Sequence, residues 1–236
     1  MNWTALSQFS PAELVAIKLS LKVAIWAVAM SLPFGVFIAL VLARGRFWGR
    51  QVLDVCVHLP LILPPVVTGY FLLLLFGRRG PLGRLLWEAF SFTFAFRWTG
   101  AALASAVVAF PLMVRAIRLS IEAVDRRLED AAGTLGASPL LVFATVTLPL
   151  ILPGILAGAI LAFARSLGEF GATITFVSNI PGETQTLPTA IYTFTQVPGG
   201  DTGALRLTIV SVLISSAALF LSEYLARRVK RRVAGI

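Results

Sequence analysis

AAGTLGASPLLVFATVTLPLILPGILAGAILAFA, residues 131–164, runs without a single Asp, Glu, Lys or Arg. A helix needs about 20 mostly apolar residues to cross the hydrocarbon core of a bilayer, and this run exceeds that. Lipid satisfies no backbone N–H or C=O, so the run must form a helix or part of a closed barrel. Barrel strands alternate apolar and polar residues, whereas this run is continuously apolar, which predicts a helix. Val23–Ala43, Val55–Gly77 and Trp98–Val114 are uncharged in the same way, and Leu207–Ser222 extends through Glu223 to Ala226. The expectation is an all-α integral membrane domain of five spans, at about residues 16–43, 55–77, 98–118, 142–165 and 205–226. A loop at about 119–139 precedes the fourth span.

Composition agrees. The 236 residues are 58% hydrophobic and 13% charged. A soluble domain is roughly half apolar and about a quarter charged, so this chain has too few charges to cover a water-facing surface. The net charge of +9 sits in short clusters between apolar runs rather than along one face, which argues against a nucleic-acid binder. Lys and Arg in short loops mark the cytoplasmic side. Arg44, Arg46, Arg50, Arg115, Arg118, Arg126, Arg127, Arg227, Arg228, Lys230, Arg231 and Arg232 share one side, twelve in all. Arg78, Arg79, Arg84, Arg97, Arg165 and Arg206 make six on the other. The N-terminus is then expected outside and the C-terminus inside. Met1–Glu13 has no positive charge and the apolar run that follows is too long for a signal core, so the first span is expected to be retained. One Cys and one His leave no zinc site of the usual ligand set. Cys56 and His58, two apart on a helix, point in different directions.

Four spans carry proline: Pro33; Pro60, Pro64 and Pro65; Pro111; Pro149 and Pro153. Such kinks free backbone carbonyls, and suit a transporter better than an anchor. Gly154 and Gly158, continued by Ala162, would permit close helix contact. Lys18 and Lys22 can reach the outer interface. The alternating aromatics from Trp87 to Trp98 read as an interfacial anchor or, alternatively, as a stacking site. Arg165 and Glu169, four apart, can pair across one turn, either as structure or as an outer gate. Thr173 and Thr175 follow as possible hydroxyl donors on a pathway. A short helix is expected around Thr189–Gln196.

The functional signal lies in the loop before the fourth span. Asp130-Ala131-Ala132, Gly136, Val146 and Leu148-Pro149 resemble the cytoplasmic pattern of importer permeases of the ATP-binding-cassette class: Glu-Ala-Ala, three residues, Gly, nine residues, Ile, any residue, Leu-Pro. Asp replaces Glu, Val replaces Ile, and Glu129, one residue earlier, could partly replace the missing Glu as an ATPase-coupling residue. Ala131 and Ala132 allow close docking, and Gly136 can end the helix in a left-handed conformation. The resemblance implies a type I importer permease with a coupling helix seated on an ATPase subunit. Ala162–Thr173 and Asn179–Thr184 further resemble the molybdate permeases, with sulfate/thiosulfate or tungstate permeases as the alternative. The partners so implied are two copies of the ATPase, an extracytoplasmic oxyanion-binding protein, a second copy of the chain and the lipid bilayer. The place implied is a bacterial inner membrane. No lysine follows a glycine, so the phosphate-cradling Gly-Lys-Ser/Thr is missing. ATP hydrolysis is therefore expected on another chain, and no cofactor is expected on this one. A membrane-embedded enzyme and a passive channel remain as alternatives from other classes. The first would turn over alone, and the second has no use for an ATPase dock.

Overall fold

The computed structural model describes residues 9–233, with side chains to Leu225 apart from Ser222. The extreme N-terminus and the tail side chains from Arg227 to Arg232, which weigh in the orientation expected above, lie outside the described residues. Every described regular element is helical: α1 (Pro11–Arg44), α2 (Arg50–Ile62), α3 (Pro65–Phe76), α4 (Pro81–Phe90), α5 (Trp98–Glu122), α6 (Arg126–Thr134), α7 (Pro139–Leu167), α8 (Gly171–Val177), α9 (Leu187–Thr195) and α10 (Asp201–Val233).

The apolar runs became α1, α5, α7 and α10, each long and apolar enough to cross a bilayer. The second expected span is different. It is broken at Leu63–Pro64 into α2 and α3, whose axes differ by 115°. Pro65 has no N–H to continue a helix and Pro64 is held extended, so α3 starts afresh. Each arm is under about 20 Å long at 1.5 Å per residue, short of the roughly 30 Å core. Five spans are reached only if the bent pair counts as one.

The most buried of the four spans is α5, packed against α1 and α7. Leu42 of α1, Met113, Val114, Ile117 and Ile121 of α5 and Ile151 of α7 are fully buried together. The small residues of α7 serve this contact. A Cβ on Gly154 would lie 2.2 Å from Ser120 Cβ, and one on Gly158 would lie 3.0 Å from the Met113 carbonyl oxygen. The glycine pair therefore has a partner, α5, which the sequence alone did not identify. At the other end α3 lies against α8, with Gly69 so close that a Cβ would meet the Ala172 carbonyl at 2.5 Å. Small residues replace the hydrophobic effect here, because lipid tails are as apolar as leucine and only close packing favours contact.

The aromatic stretch packs partly inward. Phe94 meets Phe76 and Phe92 edge-on at 5.6 and 4.9 Å, and Lys22 Nζ stands 3.6 Å from the Trp98 ring centroid. Phe90 and Phe96 remain exposed. The expected short helix near residue 189 is α9. The helix α8 was not expected, nor was α4, whose last turn enters the aromatic stretch.

Candidate functional site

Two ends of the helical bundle hold the residues singled out above. At the first end, α6 begins at Asp125, whose carboxylate accepts from the Arg127 N–H at 3.0 Å. It ends with two bonds in the Schellman arrangement: Gly136 N–H to the Gly133 carbonyl (3.0 Å) and Ala137 N–H to the Ala132 carbonyl (3.2 Å). Gly136 has φ +84°, the left-handed conformation that closes the helix, and nothing lies within 4 Å of a Cβ built there. Asp130, Ala131 and Gly136 are exposed and Ala132 is half-buried. Leu128, Leu135 and Leu140 surround them as exposed apolar side chains, Leu135 at 89%. These leucines leave an exposed apolar patch on a polar turn.

Leu148-Pro149 closes a widened turn in α7. Residues Phe143–Thr147 are π-helical, and the Leu148 N–H bonds the Phe143 carbonyl five residues back. Pro149 cannot donate to the carbonyl four residues before it and its ring would crowd that carbonyl. The wide turn relieves both problems, so the interval before Leu-Pro has a structural cause.

Glu129 turns inward. Its Oε2 is 3.2 Å from Arg44 Nη2 at the end of α1, and its Oε1 accepts from Thr147 Oγ1 at 2.7 Å. Arg44 Nη2 also reaches the Val124 carbonyl at 3.4 Å. These groups border a cleft of about 770 Å³ between α6, α1 and α7, together with Leu40, Gly133 and Phe143. Neither Arg44 nor Thr147 was singled out from sequence. Both partners are far from Glu129 along the chain, and no periodicity marks them.

At the second end Arg165 Nη1 meets Glu169 Oε2 at 2.7 Å, with Glu169 buried and Arg165 partly exposed. The other carboxylate oxygen accepts from the Ala172 N–H at 2.8 Å, in the first turn of α8. Glu169 thus neutralises Arg165 and starts α8. Thr173 Oγ1 donates to the Phe170 carbonyl (2.9 Å) and Thr175 Oγ1 to the Gly171 carbonyl (2.8 Å). Both hydroxyls donate within their own helix in this structure.

A further pair escaped the sequence entirely. Glu13, fully buried, accepts from Arg206 Nη2 at 2.7 Å and from Arg206 Nε at 2.9 Å. Its other oxygen accepts from the Ser10 N–H at 2.6 Å in a capping box. The starts of α1 and α10 are joined there.

His58 Nδ1 lies 3.2 Å from Asp54 Oδ1, and Arg118 Nη1 lies 3.1 Å from the same oxygen, which ties α2 to α5. Cys56 is exposed. Among the described residues no three His, Cys, Asp or Glu side chains gather as a metal site.

Comparison with known proteins places this arrangement. The chain is 60% identical to the molybdenum transport system permease protein ModB of Escherichia coli (strain K12), over 93% of this chain and 96% of that protein. It is 38% identical to a probable sulfate transport system permease protein cysT of Chlorokybus atmophyticus, over 89% of this chain and 73% of that one. The fold matches that of a chain in the crystal structure of a bacterial alginate ABC transporter in complex with an alginate pentasaccharide-bound periplasmic protein. The TM-score is 0.74 at 17% identity, over 93% of this chain and 80% of that chain. Residues 31–231 match the family described as binding-protein-dependent transport system inner membrane component, and the chain belongs to that family.

Proposed function

We propose that this chain is the membrane-spanning permease subunit of an ATP-driven importer and forms the translocation path for molybdate. The observation that carries the reading is the 60% identity to a molybdenum permease along nearly the whole chain, against 38% to the sulfate relative. The geometry of α6 supports the importer part: an exposed, Schellman-capped helix with bare leucines offers a dock. The chain itself is not an enzyme, and its energy comes from a separate ATPase. An extracytoplasmic binding protein delivers the oxyanion. Two copies of the chain, each bearing one ATPase subunit, close around one path, since identical chains most often assemble with two-fold symmetry.

Cells lacking this chain should lose high-affinity molybdate uptake and keep sulfate uptake. Uptake of each labelled oxyanion at submicromolar concentration checks this. Loss of sulfate uptake with molybdate uptake intact would assign the chain to sulfate instead.

The same reading puts α6 in the cytoplasm, with Arg165 and Glu169 near the outer mouth as the candidate gate. Thr173 and Thr175 stand beside them as pathway residues, and a hydroxyl there would have to turn away from its backbone carbonyl to donate to the oxyanion. The N-terminus is outside and the C-terminus inside, resting on the Lys and Arg asymmetry. A reporter that is active only outside the cytoplasm, fused after Ile236, should be silent. Full activity would reverse the orientation.

A further inference from the structure

We infer that Glu129 is a positioning residue that transmits movement of α6 to the π-helical turn of α7, rather than a contact to the ATPase. The inference rests on the importer reading, in which α6 is the element the ATPase moves. It concerns what happens inside this chain once α6 has moved.

Two observations decide which way Glu129 acts. Its neighbour in the motif, Asp130, is exposed, whereas Glu129 is half-buried and faces the bundle. Its contacts are made inside this chain: Oε1 accepts from the Thr147 hydroxyl at 2.7 Å and from Arg44 Nη2 at 3.3 Å, and Oε2 lies 3.2 Å from the same Arg44 nitrogen. Both hydrogen bonds that Glu129 accepts thus come from other helices of this chain. Charge-assisted hydrogen bonds are short and directional, so displacing α6 must either carry Arg44 and Thr147 along or break the bonds.

Thr147 is the last residue of the π-helical turn and is itself buried. That turn lacks the regular four-residue hydrogen bonding of the helix on either side, so α7 can bend there at lower cost than elsewhere. Arg44 also holds the Val124 carbonyl in the turn between α5 and α6. One carboxylate therefore joins the coupling helix to the end of α1 and to the most deformable point of α7. The cleft beside it, about 770 Å³, gives α6 room to shift relative to α7. Pushing on α6 would then pull on α7 through the Glu129–Thr147 bond, and α7 is the helix that ends in the Arg165–Glu169 pair.

The experiment uses the assembled complex of this chain with its ATPase and binding protein, reconstituted in liposomes. Three quantities are read on each variant: co-purification of the ATPase, ATP hydrolysed, and molybdate transported per ATP. Glu129→Ala and Thr147→Val should co-purify the ATPase fully and hydrolyse ATP. Each should move about tenfold less molybdate per ATP, the scale on which one charge-assisted bond changes an equilibrium. Thr147→Val keeps the shape of the side chain and removes only the hydroxyl, so it tests the bond even if Glu129→Ala folds poorly. Thr147→Ser, which restores the hydroxyl, should recover most of the coupling. Loss of ATPase co-purification in Glu129→Ala would make Glu129 a docking contact and overturn the inference. Unchanged molybdate per ATP in both variants would overturn it as well. If the unaltered complex transports sulfate and not molybdate, the substrate reading fails, while the same ratios taken with sulfate still decide the role of Glu129.

Discussion

Gly154→Leu is expected to leave little or no folded protein in the membrane. A Cβ at this position would stand 2.2 Å from Ser120 Cβ and 2.5 Å from Ser120 Oγ, far inside van der Waals contact. Ser120 sits on α5, the most buried span, which also packs against α1, so α5 cannot retreat without disturbing a second interface. Overpacking in a tight core costs about 1–3 kcal/mol or more, and a whole domain has only roughly 5–15 kcal/mol to lose. Leucine adds a branched side chain on top of contacts of 2.2 and 2.5 Å at Cβ alone, which puts it beyond the usual range and into the reach of that reserve. Gly158→Ala should be milder, because its nearest new contact is 3.0 Å. Ser120→Gly should partly rescue Gly154→Ala by removing the atoms in conflict. The measurement is the amount of monodisperse protein extracted from membranes. Normal yield of Gly154→Leu would mean that α5 and α7 do not pack as described.

Gly136→Leu should do the reverse, leaving protein in place while transport falls at least tenfold. Within the chain the substitution costs only the left-handed conformation, about 1–2 kcal/mol for a residue with a β-carbon, because the space around Gly136 is open. A leucine there projects from the exposed turn beside Leu135, where the proposed ATPase groove would have to accept it. Gly136→Asn separates the two effects, since asparagine tolerates the left-handed conformation. It should keep the turn and lose transport only through bulk. The checks are membrane content, ATPase co-purification and molybdate uptake in the same cells. Full uptake by Gly136→Leu would remove this turn from the dock.

The two glycines show what was legible in the sequence. Gly136 could be read because its role is local: a helix of nine residues, a left-handed stop and a motif with fixed intervals. Gly154 could be read only as half of a pattern, because its partner lies on another helix. The same division holds elsewhere. Long uncharged runs gave α1, α5, α7 and α10, since transfer to lipid depends on composition along one segment. The 115° turn between α2 and α3 was hidden, although Pro60, Pro64 and Pro65 marked a kink, because its size depends on α3 packing on α8. The helix α8 was hidden too. It is short, rich in threonine, and begins on a carboxylate whose burial cannot be seen in sequence. Glu129 was noticed for its place beside the motif, but its orientation is set by Arg44 and Thr147, which no spacing rule connects to it.

The buried Glu13–Arg206 pair has a consequence for how the chain is made. Glu13 lies in the first turn of α1 and Arg206 near the start of α10, the first and last of the described helices. Gly203 and Arg206 of α10 pack over the Glu13 carboxylate, so until α10 arrives Glu13 lacks both its counter-charge and part of its cover. The start of α1 therefore has reason to stay loosely placed during synthesis, and it settles only when the final helix has been inserted. A chain cut short before α10 would leave Glu13 without that partner permanently.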